Sequence, residues 1–351
     1  MIGPLDDSSV LTLKDHTIIM PEIVSPSALA GGSPAVGQPQ SGLAFSRAAF
    51  TNAVWLFPGI GCRFVGMGHD IIRRFPAADR MIAQADEHLG YDVVEVCLEG
   101  SGRKQVSARQ DAQVIYVLEC AYAAVLKELG YQARAVSGHS LGNAPAAWAC
   151  GAYDFITGLD LVTCVEDLLI ELYEGTGQAM GVIVGLQEPE IQSLLGVSPN
   201  ACLANRNAPG QYVIGGTTEG VDAVLSGAIA RGAKQARRFA GGWALHTPYM
   251  QELAARFRVR LAAVNWSEPR VPFVSSIDCG VLTRAEEICG FLGEFLVRPV
   301  NWEPTMRALR QSWGNAFVEV GPGNLLSKMS LFIDRTAAIR TASEILELRA
   351  G

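Results

Sequence analysis

The sequence lacks the features that define several classes of protein. It contains no basic run, and its formal net charge is −7, which disfavours nucleic-acid binding as a main activity. No apolar run reaches the roughly 18 residues that a membrane-spanning helix needs. The first residues, from Met1 to Asp7, have neither the basic nor the apolar region of a signal peptide. We therefore expect a cytoplasmic protein with no nucleic-acid and no membrane partner.

The eight cysteines lack the spacing of a metal site or of a redox motif. None forms a C-x-x-C pair, and none is spaced with histidines as the ligands of a zinc site are. In a chain of this length they are predicted to be free thiols in a reducing compartment. The sequence therefore predicts no metal and no redox cofactor.

What the chain does contain is typical of a well-packed α/β protein. Of its 351 residues, 49% are apolar and 18% are charged, enough for one large domain or two modest ones. Residues 25–42 are almost entirely Ser, Pro, Gly, Ala and Gln, a composition typical of linkers. We predict that residues 1–48 form a flexible tail and linker and that the folded body begins at residue 49.

A serine at the centre of a G-x-S-x-G motif is the first candidate for chemistry. Gly138, Ser140 and Gly142 occupy the fixed positions, after a short predicted strand at 134–136 and before a predicted helix that ends near Cys150. In such an elbow the serine lies on a sharp turn between strand and helix, with its hydroxyl exposed above the sheet. The motif is short enough to recur by chance, so a base and an oxyanion donor must also be found.

A glycine-rich turn ahead of the elbow is a candidate for a ligand-binding loop. The apolar run Ala53–Phe57 predicts a buried strand, and Pro58–Gly61 follows it. The carboxyl end of a strand is where open α/β sheets bind ligands. An ordinary turn between strand and helix has the same appearance.

His246 is the strongest candidate for the base that a serine nucleophile needs. The chain has five histidines. His16 lies in the predicted tail, His69 and His88 precede the elbow, and His139 belongs to it. A third member could be a carboxylate between the serine and the histidine, or a backbone carbonyl that orients the base. The acidic residues in that interval include Asp154, Asp160, Asp167 and Asp222.

The segment from 178 to 239 has a different pattern of predicted strands and helices from the rest of the folded body. Its apolar runs and helical periods predict the order strand-helix-strand-strand-helix-strand, a unit of the split-βαβ type. We predict a small subdomain at 178–244, inserted into a larger one formed by 49–177 and 245–345.

Six motifs and a lone glutamine occur in the order and at the approximate spacing of one known family. They are Phe57-Pro58-Gly59-x-Gly61 with Gly66-Met67-Gly68, Gln113, Gly138-His139-Ser140-Leu141-Gly142, Asn207-x-Pro209-Gly210-Gln211-x-Val213-Ile214, His246-x-Pro248-x-Met250, Pro299-Val300-x-Trp302, and Glu319-Val320-Gly321-Pro322-Gly323. From about 53 to 345 the chain thus resembles the malonyl-CoA:acyl-carrier-protein transacylases and the acyltransferase domains of polyketide synthases.

The resemblance implies a fold and a set of roles. The fold is an α/β-hydrolase-like large subdomain with an inserted ferredoxin-like small one. Ser140 would be the nucleophile of a ping-pong reaction and His246 its base. The backbone N–H groups of Ile60 and Leu141 would hold the oxyanion, and the backbone carbonyl of Ser276 would orient the histidine. The substrate would be a phosphopantetheine thioester of an acyl carrier protein or of CoA, with no further cofactor.

The substrate-binding positions implied by the resemblance depart from the malonyl-specific pattern. They are Gln113, Val165, Asn207, Trp243 and Leu245. Malonyl-specific members carry an arginine at the position of Val165, and a buried carboxylate without that cation costs roughly several kcal/mol. The sequence therefore predicts an acyl group without a free carboxylate. Arg63 is either a solvated loop residue or a cation supplied from another direction.

Three functions fit these residues. The first is transfer of such an acyl group in polyketide or other specialised metabolism. The second is hydrolysis of an acyl carrier protein thioester at the same serine. The third is a catalytically inactive docking partner for a carrier protein, which the presence of both Ser140 and His246 argues against.

Overall fold

The computed structural model describes residues 47–98 and 106–350. The tail predicted for 1–48 lies outside the described residues, apart from its last two. The strands are β1 (Asn52–Phe57), β2 (Gln132–Gly138), β3 (Gln178–Val184), β4 (Ala201–Ala208), β5 (Gln211–Thr217), β6 (Gln235–Arg238), β7 (Phe273–Val274), β8 (Val281–Leu282), β9 (Val300–Asn301), β10 (Ala316–Glu319) and β11 (Ala338–Thr341). The helices are α1 (Pro76–Leu89), α2 (Val93–Leu98), α3 (Ala108–Glu128), α4 (Asn143–Cys150), α5 (Phe155–Tyr173), α6 (Glu188–Gly196), α7 (Thr218–Ala230), α8 (Gln251–Ala262), α9 (Ala285–Leu292), α10 (Trp302–Trp313), α11 (Leu325–Ile333) and α12 (Ala342–Ala350).

A six-stranded sheet forms the main body. Its strand order is β11-β10-β1-β2-β7-β8, and all neighbours pair in parallel except β7 and β8. The central strand β1 is buried from Ala53 to Phe57, as its continuous apolar run predicts. Because β1, β2 and β10 are parallel, the turns after Phe57, Gly138 and Glu319 all lie at one edge of the sheet. The three glycine motifs of the sequence therefore meet there.

A second sheet of five strands has the order β6-β3-β5-β4-β9. Its first four strands and the helices α6 and α7 follow one another as β-α-β-β-α-β within residues 178–238, and these four strands pair antiparallel. This is the ferredoxin-like arrangement that the apolar pattern predicts. The fifth strand comes from outside the predicted subdomain, since Val300 of β9 pairs in parallel with Asn205 of β4. A two-residue strand is too short to leave a periodic signal in the sequence.

The apolar residues of 69–90 recur at helical spacing and predict a helix over that segment, but in the structure the helix begins later. Residues 67–74 form turns, with Arg73 at φ 59°, and α1 starts at Pro76. Proline favours the first turn of a helix because its missing N–H has no intrahelical partner there. The apolar residues Ile71 and Ile72 are nevertheless buried, so they produce a helical pattern without a helix.

Helix α3 is the main buried helix behind the site. Its side chains are buried along most of its length, because α1, α4 and α5 pack against it and its apolar residues share one buried cluster with Trp55 and Phe57 of β1. A capping box between Ser107 and Gln110 fixes its first turn. Of the helices described, none combines the length and the apolarity that crossing a membrane requires.

Candidate active site

Ser140 lies on a tight turn between β2 and α4. Its backbone is left-handed, with φ at 55°, which is strained for a residue other than glycine. The N–H of His139 donates to the carbonyl of Phe57 at 2.9 Å, and the N–H of Gly142 donates back to the carbonyl of His139 at 3.0 Å. A 3₁₀ turn over Ser140–Gly142 precedes α4. These bonds hold the serine hydroxyl above the carboxyl edge of the main sheet, as the motif predicts.

Three glycines allow the elbow and the turn after β1 to touch. A Cβ on Gly142 would overlap the carbonyl oxygen of Phe57, and one on Gly138 would overlap the backbone of Gly142. A Cβ on Gly59 would lie 2.6 Å from both the N of Gly142 and the O of His139. The requirement for glycine is thus one of space at all three positions. It brings residues 59–62 directly against the turn that carries Ser140.

His246 is within hydrogen-bond distance of the serine. Ser140 Oγ and His246 Nε2 are 2.8 Å apart, and His246 Nδ1 is 2.8 Å from the carbonyl oxygen of Phe295. A carbonyl can only accept, so Nδ1 carries the proton and Nε2 is left to accept from the serine hydroxyl. The backbone N–H of His246 also donates to the carbonyl of Leu296, at 2.8 Å. The segment after α9 therefore sets both the position and the tautomer of the base.

The carbonyl that orients the histidine is not the one predicted. The backbone oxygen of Ser276 instead accepts from the N–H of Asn301, at 2.7 Å, and the Ser276 hydroxyl lies 3.3 Å from Nδ2 of Asn143. The prediction of Ser276 was wrong, and Phe295 takes its place. Because Nδ1 is already satisfied by a carbonyl, the site is a Ser–His dyad without a carboxylate.

An apolar cavity opens beside the dyad. The strands and helices that surround it contribute mostly aliphatic and aromatic side chains. Its walls are formed by Ile60, Ala108, Asp111, Ser140, Leu141, Ala144, Tyr153, Leu161, Val162, Val165, Glu166, Leu169, Trp243, Leu245, His246, Phe257, Leu292, Phe295 and Leu296. A cavity with this lining suits an apolar chain attached at the serine.

The structure brings three of the five predicted substrate-binding residues to the cavity. Val165, Trp243 and Leu245 line it. Gln113 does not: it accepts from the hydroxyl of Tyr91 at 2.9 Å and donates to Thr163 Oγ1 at 2.8 Å. Asn207 does not either.

Asn207 contacts the elbow through the side chain of His139. Its Oδ1 lies 3.0 Å from His139 Nε2, and the ring of His139 packs edge-on against Trp302. Both His139 and Asn207 are buried. The structure thus gives this asparagine a contact with the variable residue of the elbow and none with the cavity.

Ile60 and Leu141, the predicted oxyanion donors, both line the cavity next to Ser140. Ile60 lies in the turn after β1, and sequence reasoning missed the side chain that anchors this turn. The carboxylate oxygen Oε1 of Glu119 accepts from the N–H of Gly59 at 2.6 Å. Burial, with Glu319 nearby, raises the pKa of Glu119 well above its usual range. The available signal was an acidic residue in the middle of the buried apolar run of α3.

Arg63 is neither solvated nor directed at a substrate. Its Nε lies 2.5 Å from Oδ1 of Asp111, and the two side chains are mostly buried. Its other nitrogens lie 3.2 Å from the carbonyl of Phe64 and 3.4 Å from that of Val96. The guanidinium therefore binds protein groups only, and no Lys or Arg among the described residues lines the cavity.

Comparisons with known proteins agree with this site. A family model described as the acyl transferase domain matches residues 54–333. The malonyl CoA-acyl carrier protein transacylase of Synechocystis sp. is 32% identical over 273 residues, which cover 78% of this chain and 90% of that protein. The chain therefore belongs to the acyl transferase domain family.

Solved structures of similar proteins share the fold. The malonyl CoA-acyl carrier protein transacylase of Coxiella burnetii superposes with a TM-score of 0.80 at 30% identity, covering 85% of this chain and 96% of that one. A malonyl-transacylase solved in complex with a type II polyketide synthase acyl-carrier protein gives a TM-score of 0.80 at 28% identity, covering 86% and 100%.

Proposed function

We propose that this chain is an acyl-carrier-protein S-acyltransferase that carries an acyl group on Ser140. The observation that carries the proposal is the 2.8 Å contact between Ser140 Oγ and His246 Nε2 at the mouth of an apolar cavity. The partner is an acyl carrier protein, as it is for the similar transacylase solved in complex with one. A type II polyketide synthase carrier in that complex supports a setting in polyketide or other specialised metabolism.

The first half of the reaction forms an acyl-serine. Ser140 Oγ attacks the thioester carbonyl carbon while its proton passes to His246 Nε2. The backbone N–H groups of Ile60 and Leu141 stabilise the oxyanion. When the tetrahedral intermediate collapses, the C–S bond breaks and the thiolate leaves with the proton from His246.

The second half reverses these steps with a different thiol. The incoming phosphopantetheine S–H gives its proton to His246 and its sulfur attacks the acyl carbon. The C–O bond to Ser140 then breaks as Ser140 Oγ takes the proton back from His246. Hydrolysis would follow if water took the place of the thiol. The apolar lining of the cavity supports transfer, because it offers an attacking water few hydrogen-bond partners.

The lining also supports an acyl group without a free carboxylate. Val165 gives the cavity an aliphatic side chain, and the guanidinium of Arg63 is paired with Asp111. A malonyl carboxylate would be desolvated without a partner and would face the carboxyls of Asp111 and Glu166. Both effects disfavour malonyl groups.

Isovaleryl-CoA should acylate Ser140 at least about 100-fold faster than malonyl-CoA, because the uncompensated carboxylate costs several kcal/mol. The two acyl groups have the same number and branching of heavy atoms and differ in charge. Intact mass measured against time gives both rates, and Ser140→Ala is the blank. Faster loading of malonyl-CoA would refute the substrate assignment, whereas free acid as the main product with a carrier protein present would indicate a hydrolase.

Acylation should hold its rate as the pH falls from 7 to about 5. Burial lowers the pKa of His246 to about 4, while its bond to the Phe295 carbonyl opposes the shift. A base with a lowered pKa stays neutral until the pH approaches that value, so the rate should fall only below about pH 5. Rapid-quench intact mass with isovaleryl-CoA gives the profile. Half-loss near pH 6.5, the ordinary pKa of histidine, would contradict this role of burial.

A further inference from the structure

Glu166 places a carboxyl in the wall of the acyl cavity without a partner among the described residues. Five residues of α5 line the cavity, at the spacing of one helical face: Leu161, Val162, Val165, Glu166 and Leu169. Four of them are aliphatic. The fifth is an acid one residue beyond Val165, the position at which the malonyl-specific pattern has its arginine.

The neighbouring carboxyls are already matched by cations. Asp111, which also lines the cavity, is paired with Arg63 at 2.5 Å. Asp167, the next residue of α5, is paired with Arg109 at 3.2 Å on an exposed surface. Glu166 alone is unmatched. With Glu166 ionised, this part of the wall therefore carries one uncompensated negative charge.

An unpaired carboxyl in an apolar wall is costly unless a ligand satisfies it. Burial, together with the nearby charges of Asp111 and Asp167, raises the pKa of Glu166 to about 8. At neutral pH the Glu166 carboxyl is thus largely protonated. A cation in the cavity would favour the ionised form and would donate a charge-assisted hydrogen bond to it.

We propose that the acyl group carried on Ser140 bears a protonated amine, which the carboxylate of Glu166 binds. The proposal rests on the acyl transfer proposed above and names the substrate class of the same cavity. An ammonium group complements the unmatched charge, and the aliphatic residues beside Glu166 contact the chain that joins the amine to the thioester. Where the malonyl pattern pairs a protein cation with a substrate carboxylate, this chain reverses the two charges.

Two sets of pantetheine thioesters test the proposal. Within each set the acyl groups share a chain length and end in an amine, a methyl or a carboxylate: β-alanyl, butyryl and succinyl, and then ε-aminocaproyl, heptanoyl and pimeloyl. The readout is kcat/KM for acylation of Ser140, followed by intact mass. In at least one set we expect the amine to exceed the methyl by roughly 10- to 100-fold, the range for a hydrogen bond to a charged group.

Glu166→Gln is the decisive variant, since the amide keeps the shape and removes the charge. It should bring the ratio of amine to methyl close to one by lowering kcat/KM for the amines, and a thermal melt shows whether the fold is intact. Asp167→Asn is the matched control on the outer face of α5 and should keep the wild-type ratio.

The outcomes separate this proposal from the one on which it rests. If methyl-terminated groups load as well as amines in both sets, or if Glu166→Gln keeps the preference, the amine is refuted while acyl transfer stands. If no thioester loads Ser140, or if the carboxylates load best, the proposed transfer of carboxylate-free acyl groups fails, and the amine fails with it.

Discussion

Replacing His246 with alanine should slow acylation of Ser140 by about 10²- to 10⁴-fold, the usual contribution of a general base. The serine would then have to lose its proton to water inside an apolar cavity. Without Nε2 at 2.8 Å, no other titratable side chain of the described residues bonds to the hydroxyl. Intact mass measured against time with isovaleryl-CoA gives the rate constants. Ser140→Ala should show no acylation at all.

The control for this prediction is a histidine far from the cavity. His88 pairs with Asp160 at 2.7 Å on the surface, and His88→Ala should keep the wild-type rate. A thermal melt of each variant checks that the fold is retained. If His246→Ala folds and acylates within about threefold of the wild type, His246 is not the base and the dyad has no catalytic role.

Much of the main sheet and of the dyad was predictable because local signals carry them. The continuous apolar run of β1 predicts a strand buried on both faces. The strand in the structure begins one residue before the predicted start and ends at the predicted residue, Phe57. The glycines of the elbow mark the place where two backbones touch, which is a requirement on the sequence itself. His246 followed by elimination, because so few histidines compete.

The partner of His246 was not predictable in the same way. The group that accepts from Nδ1 is a backbone carbonyl, and every residue type has one. Only the path of the chain after α9 places Phe295 rather than Ser276 beside the ring. A contact of this kind leaves no trace in residue type or spacing.

The sequence also did not reveal which charged side chains at the cavity are paired, for a related reason. Arg63 and Asp111 are 48 residues apart in sequence, yet they form one ion pair. Seen alone, the arginine looks like a free cation. Glu166 adjoins a position that the sequence singles out, but only the helical face shared with Val165 shows that its carboxyl belongs to the cavity. Pairing between distant elements thus decides which charges a substrate meets.

Gly142→Ala should nearly abolish acylation, although alanine suits helices better than glycine. Gly142 has φ −58°, so the added methyl brings no backbone strain. It would overlap the carbonyl oxygen of Phe57, the same oxygen that accepts from the N–H of His139 at 2.9 Å. The elbow and the turn after β1 must therefore move apart. We expect a loss of at least about 100-fold in the rate, as for a misplacement near 1 Å, and about 3 kcal/mol of stability.

Gly196→Ala provides the matched control, since no atom lies within 4 Å of the added methyl at that position. It should change the free energy of unfolding by less than about 1 kcal/mol and leave acylation unchanged. Urea unfolding gives the stabilities, and intact mass with isovaleryl-CoA gives the rates. A Gly142→Ala protein that acylated at the wild-type rate would mean that the contact between the two turns does not set the position of Ser140 against its oxyanion donors. The proposed roles of Ile60 and Leu141 would then fail, because both depend on those turns meeting at one point.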